Sequence, residues 1–547
     1  MLKRIGGVAL ACATAVVSYA ATAQAPPSPR TPARPNILLI IADDVGQDVA
    51  TQMYPGLIAK LTRQYGPRGH NNPNYRSIAG RPASIPVLSR LARQGMVFTD
   101  AWAEPFCSPT RASLLTGLYA ANTHVITYAD ALSQKHYSFV RQLKDQGGYA
   151  TAAFGKWHMA GLPAGPRQPN AIDYPGMKPR EAGFDLYRGD MHAALPTYWN
   201  YPVEVQDATT PANKWREERA VPRSLPGIKP TTFADVAKAA DTLDWIGKQR
   251  REHPGQPWFT WLAFNLSHAT IRSAPSQMAI PDRQLLDRAT IREIDACHGK
   301  YGTQNPGKCS GEAQMRAMTN AMDTIVGKVL AVVDRIPNTY VIIVGDNGTP
   351  MYGRPGLDFI DNMYITRKGR GKGTAFESGA RVEWAIRGPG IRPGASSAEY
   401  VHVVDLAPTI LQLAGLTPPH LVPASSGDNW IPLDGMSLAP ILKGQASRVR
   451  DPVRDVVMTE DSDLMKQGVY VAGARNGQWK LVCAKKADNC AFYNLANDPL
   501  EEYPLPRPAN CADAQRAKPD QPAWNYCYLQ DAVAKRSILS PSYKPAS

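Results

Sequence analysis

Several strings in this 547-residue chain put carboxylate, imidazole and ammonium groups just where an apolar run ends. Asp43-Asp44 follow the run Asn-Ile-Leu-Leu-Ile-Ile-Ala at 36–42, and Asp346-Asn347 follow a second run at 340–344. Such runs suit strands buried on both faces of a parallel sheet. Adjacent carboxylates at the end of a buried strand are costly unless positive charge meets them. Asp43, Asp44 and Asp346 with the Asn347 amide form an all-oxygen set, which favours Ca²⁺ or Mg²⁺ over zinc. A solvated Asp-Asp turn explains one pair; two accidental turns are harder to accept. Lys156 and His158 follow a third run at 149–154, and His268 follows a fourth at 258–265.

A nucleophile stands apart from these. Cys107 opens the string Cys-Ser-Pro-Thr-Arg-Ala-Ser-Leu-Leu-Thr-Gly. Ser108 then Pro109 read as an N-cap and first helical residue, and Gly117 as the helix end. Cys107 is thus expected at a helix N-terminus, where the dipole favours negative charge, with Arg111 pointing back to it. A buried structural thiol is the competing reading. The chain has eight cysteines, and Cys12 falls in the leader. Local pairing of Cys297 with Cys309, Cys483 with Cys490 and Cys511 with Cys527 leaves Cys107 single; it is one of about 15 pairings of six cysteines.

The elements that must position these groups read as α/β. Strands are predicted at 36–42, 96–99, 149–154, 258–265, 340–344 and 382–386. Helices are predicted at 85–94, 139–144 (capped by Ser138), 232–251, 313–336 and 402–413. In a doubly wound sheet, ligands bind at the carboxyl edge of the strands. From about 455 the pattern changes to short strands at 456–460, 469–475 and 479–484, with Asn476-Gly477 as a hairpin signal. A small antiparallel C-terminal sheet is expected within 451–547, its tail after Pro504 wrapping the surface. The stretches 52–83, with His70 as an exposed histidine, and 163–230 read as loop-rich. Aromatics of the second stretch (Tyr187, Tyr198, Trp199, Tyr201, Trp215) either shape a pocket or pack.

Residues 1–23 read as a secretory signal, with Lys3 and Arg4 before an apolar stretch and Ala21-Thr22-Ala23 at its end. Lipidation at Cys12 is disfavoured by Ala9 and by the apolar run continuing past it. A Pro-rich leader spans 24–35. These features predict a periplasmic or secreted protein. No later run approaches the ~20 apolar residues of a membrane span, so no stable membrane insertion is expected. The net charge of +14 suits anionic substrates or a solvated basic surface. No nucleic-acid-binding motif accompanies it.

The Cys107–Gly117 string resembles the signature of the type I, formylglycine-dependent sulfatases. Gly155-Lys156-Trp157-His158 resembles a second motif of that family, with Met159-Ala160 in place of Leu-Gly. His268 keeps the register of a third motif, with Ser267 for proline. Lys372 to Arg381 resembles a fourth, with Ser378 for glycine and Glu383 for a proline; Asp405 to Thr409 is family-like too. The resemblance implies an alkaline-phosphatase-like α/β domain, a large mixed and mostly parallel sheet flanked by helices, over 36–450. It implies that a formylglycine-generating or other maturation enzyme oxidises Cys107 to an aldehyde, whose hydrate attacks the sulfur of a sulfate ester. The metal ligands would be Asp43, Asp44, modified Cys107, Asp346 and Asn347, with Ca²⁺ preferred to Mg²⁺. Arg111 would steady the hydrate. Lys156, His268 and Lys372 would bind the sulfate, His268 or Lys372 would protonate the leaving alcohol, and His158 would expel sulfate. Two alternatives stay open: a phosphate or phosphonate ester hydrolase on the same fold, and a non-catalytic anion- or glycan-binding protein.

Overall fold

The computed structural model describes residues 34–65, 82–161, 174–270, 278–304, 307–350, 370–462, 469–514 and 518–544. The expected signal segment, nearly all of the leader and His70 lie outside these residues. Arg34–Ser547 forms one compact unit.

Ten strands build the main sheet: β1 (Asn36–Ala42), β2 (Met96–Trp102), β3 (Ala150–Lys156), β4 (Leu186–Asp190), β5 (Pro202–Gln206), β6 (Arg216–Arg219), β9 (Trp258–Ala263), β10 (Thr339–Gly345), β11 (Trp384–Arg387) and β12 (Ala395–His402). The short pair β7 (Arg223–Leu225) and β8 (Ile228–Thr231) and the hairpin β13 (Leu421–Pro423) and β14 (Trp430–Pro432) stand outside it. The order is β12-β2-β11-β10-β1-β9-β3-β4-β5-β6. Only β11 and β5 run against the rest of this sheet.

β1 shows why its sequence has no polar residue between Ile37 and Ala42. Leu38 and Ile40 pack on one face with Leu262 and the helices Pro86–Gln94, Ala234–Glu252 and Gly311–Val333. Ile37, Leu39 and Ile41 pack on the other with Trp261 and the helices Cys107–Thr116, Phe139–Gly147 and Leu406–Leu413. Each such side chain, fully buried, contributes about 1.5–3 kcal/mol. The sheet is therefore held rigidly from both sides, and its strand ends are fixed points.

Four strands β15 (Val457–Ser462), β16 (Tyr470–Asn476), β17 (Trp479–Ala484) and β18 (Cys490–Asn494) form an antiparallel C-terminal sheet. Gly477, at φ 51°, opens the two-residue turn between paired Asn476 and Trp479. The tail does not simply wrap the surface. Its helix Pro522–Arg536 buries Tyr526, Leu529 and Val533 with Leu481 and Phe492, closing one face of this sheet. The stretch 163–230 is less loop-like than expected, since β4, β5 and β6 extend the main sheet from it. Tyr187, Tyr198 and Tyr201 are buried packing residues. His402 ends β12 and caps the 3-10 turn Val403–Asp405, which runs into the helix Leu406–Leu413, so the predicted helix opens with a tighter turn. The three disulfides are Cys297–Cys309, Cys483–Cys490 and Cys511–Cys527.

Candidate active site

β10, β1, β9 and β3 are neighbours and all parallel, so their carboxyl ends open on one edge. Asp346-Asn347, Asp43-Asp44, the turn to His268, and Lys156 with His158 all emerge there. Asp44 adopts φ 61°, a conformation Asp tolerates better than most residues. Its backbone N–H donates to Asp346 Oδ1 at 3.2 Å, lacing two strand ends together.

Cys107 occupies the first turn of the helix Cys107–Thr116 and is 1% exposed. Among the described residues it is the free cysteine. The N-cap is Phe106, not Ser108, and no side chain caps the helix. Ser108 Oγ instead donates to the His158 carbonyl at 2.7 Å, fastening the helix to the segment after β3. Gly117 ends the helix at φ 72°, as expected.

Three cations face three carboxylates, all buried. Lys156 Nζ donates to Asp43 Oδ2 at 2.6 Å, and Lys372 Nζ donates to Asp44 Oδ1. Arg111 donates from Nε and Nη2 to Asp346 Oδ2 at 3.1 and 2.7 Å, and from Nη1 to the Lys156 carbonyl at 2.7 Å. Its guanidinium is therefore clamped between β10 and β3, 3.9 Å from Asp43.

The balance is incomplete. Burial, with Asp44 adding to it, raises Asp43 to about 6 against the pull of Lys156. Burial and Asp43 raise Asp346 to about 6 despite Arg111. Burial opposes ionisation of Asp44 too, but Lys372 and His268 outweigh it and its pKa falls. Among the described residues, Asp43 Oδ1 and Asn347 Oδ1 are buried with no hydrogen-bond partner. One ligand oxygen each from Asp43, Asp44 and Asp346 lie within 4.8 Å of one another. Orphaned oxygens and under-compensated carboxylates at one point fit a hard divalent cation.

The histidines have defined tautomers. His158 Nε2 lies 2.9 Å from the Tyr128 carbonyl, which only accepts, so Nε2 carries the hydrogen. Its bare Nδ1 then faces Cys107 Sγ at 3.2 Å. Burial, then Lys156 and Arg111, hold the His158 pKa well below the usual imidazole range, so the ring is neutral. His268 Nδ1 donates to the Ala269 carbonyl, which turns Nε2 toward Asp44 Oδ2 at 3.9 Å. Ligand atoms of Cys107, His268 and Asp43 also lie within 4.8 Å of one another. Burial raises the Cys107 thiol, but Lys156 and Lys372 bring it down to about 6.

The structure thus brings all ten singled-out residues to one edge. Supporting residues had no sequence signal. Thr349 Oγ1 accepts from Gly46 N and donates to Asp48, bracing the loop after Asp44. Glu104 accepts from Ser113, Ala120 N and Glu460 N, bolting the Cys107 helix to β15.

Residues 35–416 match the family model described as Sulfatase. The chain belongs to the Sulfatase family. This sulfatase is 26% identical over 437 residues to N-acetylgalactosamine-6-sulfatase of Mus musculus, covering 76% of its own length and 67% of that protein. It is 24% identical over 518 residues to a sulfatase of Formosa agariphila, covering 85% and 83% of the two chains. Steryl-sulfatase of Mus musculus matches at 27% over 502 residues, 79% of this chain and 68% of that one. Among solved structures, the PsFucS1 sulfatase from Pseudoalteromonas sp. superposes with a TM-score of 0.60 at 20% identity, covering 94% and 92%. A structure described as in complex with its substrate D-glucosamine-2-N,6-O-disulfate superposes at 0.59 with 18% identity, covering 92% and 98%. These share the mixed α/β fold that the motifs implied.

Proposed function

We propose that this chain hydrolyses a sulfate monoester of a carbohydrate, with formylglycine made from Cys107 as the source of the nucleophile. The observation that carries the reading is the position of Cys107. Six cysteines pair, while this one sits beside a neutral imidazole, two lysines and the carboxylate cluster. The aldehyde supplies, as its hydrate, one hydroxyl to attack sulfur and a second whose deprotonation releases sulfate and restores the aldehyde. A serine or an unmodified cysteine has no second hydroxyl.

The chain's own residues then divide the work. Lys156 and Lys372 stand beside residue 107 and neutralise charge on the sulfuryl oxygens, while His268 lines the same space. With Nδ1 protonated and Nε2 bare, neutral His268 has no proton to give there, so the Lys372 ammonium protonates the leaving oxygen. His158 Nδ1 takes the proton of the second hydroxyl. Arg111 holds Asp346 and the end of β3 in register, which steadies the hydrate indirectly. Asp43, Asp44, Asp346 and Asn347, with modified residue 107, would hold a divalent cation, which supplies Lewis-acid polarisation when bound. Ca²⁺ is favoured because Mg²⁺ keeps several waters, and buried cationic side chains crowd these ligands.

Carbohydrate is the preferred leaving group because the curated relatives include enzymes named for an amino-sugar sulfate, and one structural neighbour is described with a sulfated glucosamine. Three disulfides suit an exported protein in an oxidising compartment. Among the described residues, no helix is long and apolar enough to cross a membrane. A maturation enzyme would be the one obligatory partner.

One preparation tests the reading. Turnover of pyranose sulfates (galactose 6-sulfate and glucosamine 6-sulfate) and an aryl sulfate is compared with a phosphate diester. The tryptic peptide containing Cys107 is weighed alongside. Aldehyde at residue 107 and faster sulfate turnover are expected. Faster phosphate turnover, or an unmodified thiol in active protein, would overturn the proposal.

A further inference from the structure

The reacting groups are almost completely enclosed: Cys107, Lys156, His158 and Lys372 are all buried. Exposure returns at Tyr128, which is 48% exposed. Its main chain belongs to the site, because its carbonyl accepts the His158 Nε2 hydrogen. Its ring packs on Phe106 with centroids 6.3 Å apart and a 35° tilt. Phe106 is 7% exposed and directly precedes Cys107. Lys372 Nζ stands 5.1 Å from the centre of the Phe106 ring. A continuous path, Lys372 to Phe106 to Tyr128, thus leads from a sulfate-neutralising ammonium to water. Among the described residues the Tyr128 hydroxyl has no hydrogen-bond partner.

We infer that the Tyr128 ring is the platform on which the leaving sugar rests, so that Tyr128 determines specificity for a pyranose over a leaving group with no ring; the inference rests on the function proposed above. A pyranose offers an apolar C–H face that fits a flat aromatic face, and equatorial hydroxyls at its edge that reach a phenol. Tyr128 supplies both. The ring is set at its angle by Phe106, and its backbone is anchored on the proton-accepting histidine. A bound sugar is therefore referenced to His158 through a single residue. That arrangement fixes where the sulfate enters relative to residue 107, and positioning of this kind contributes to the barrier directly.

The test separates ring binding from anion binding. KM is measured for whichever pyranose sulfate of the panel turns over fastest, and Ki for inorganic sulfate, which fills the anion site without a ring. Tyr128→Ala keeps the carbonyl and should raise the sugar KM about 10-fold, the loss of about one stacking contact, while Ki for sulfate moves far less. Tyr128→Phe keeps the platform and should retain most of the affinity. Equal rises in KM and Ki would show that the ring merely props the site and would overturn the inference. An unchanged KM in Tyr128→Ala would overturn it while leaving the proposed function intact. Failure of the wild type to turn over any pyranose sulfate would instead defeat the proposed function, and this inference with it.

Discussion

Sγ of Cys107 and Nδ1 of His158 stand 3.2 Å apart, and the other nitrogen of that ring is committed to the Tyr128 carbonyl. The imidazole therefore presents a lone pair to residue 107 and cannot present a proton. In the proposed mechanism, replacing it would remove the base for sulfate release and leave the first step in place. His158→Ala should lower kcat by about 10²–10⁴, and sulfated enzyme should accumulate during turnover. Rapid-quench mass spectrometry checks this; a slow variant with no sulfated form would show that His158 acts before sulfur transfer.

Cys107→Ser keeps the approximate size of the side chain and removes the thiol that the proposed function takes as the precursor of the aldehyde. The variant should fold, bind Ca²⁺ and lose multiple turnover. Thermal unfolding with and without Ca²⁺, together with rates on the best sulfate ester, gives the answer. Multiple turnover at near wild-type rate would contradict a second hydroxyl.

The carboxylate cluster makes a prediction about metal removal. Chelation should destabilise the protein, and Ca²⁺ at 100 times its Kd should restore about 2.7 kcal/mol. Asp43→Asn should abolish much of that Ca²⁺-dependent shift. Lys156→Ala acts in the opposite sense. It leaves Asp43 buried without its 2.6 Å partner, which costs about 3–5 kcal/mol in metal-free protein and less when Ca²⁺ is present. Urea titrations of both variants, with and without the ion, measure the contrast.

Unmodified protein should carry an unusually acidic thiol. Burial raises the Cys107 pKa, but Lys156 and Lys372 overcome it and bring it to about 6, below the ordinary 9. A depressed folded pKa means the thiolate stabilises the fold above pH 9, and that this contribution is lost as pH falls through about 6. In metal-free protein with Cys107 intact, thiolate absorbance should titrate near pH 6. In Lys156→Ala the midpoint should move up.

Much of this is legible in the amino-acid sequence. β1 has no polar residue between Ile37 and Ala42 because both faces of the central strand are covered, and its edge residues Asp43 and Asp44 follow at once. Cys107 was left over once local cysteine pairs were drawn, and the three disulfides are those pairs. Other features lie in tertiary structure. Ser108 has the chemistry of an N-cap, yet its hydroxyl is used by the His158 carbonyl. β6 is mostly exposed and polar, Arg-Glu-Glu-Arg, and pairs only because β5 offers it an edge. Tyr128 contributes through a main-chain oxygen, which no side-chain pattern reports.

The enclosure of Cys107 has a consequence for the order of events in the life of the chain. The buried thiol feels the charge of Lys372, which is made more than two hundred residues later, and its helix is bolted through Glu104 to β15, later still. An enzyme that oxidises this cysteine cannot reach it in the finished fold. Under the proposed function, the maturation enzyme would meet the nascent or unfolded polypeptide, and oxidation would race against closure. Folding speed, as much as affinity for such an enzyme, would then set the fraction of molecules that carry the aldehyde.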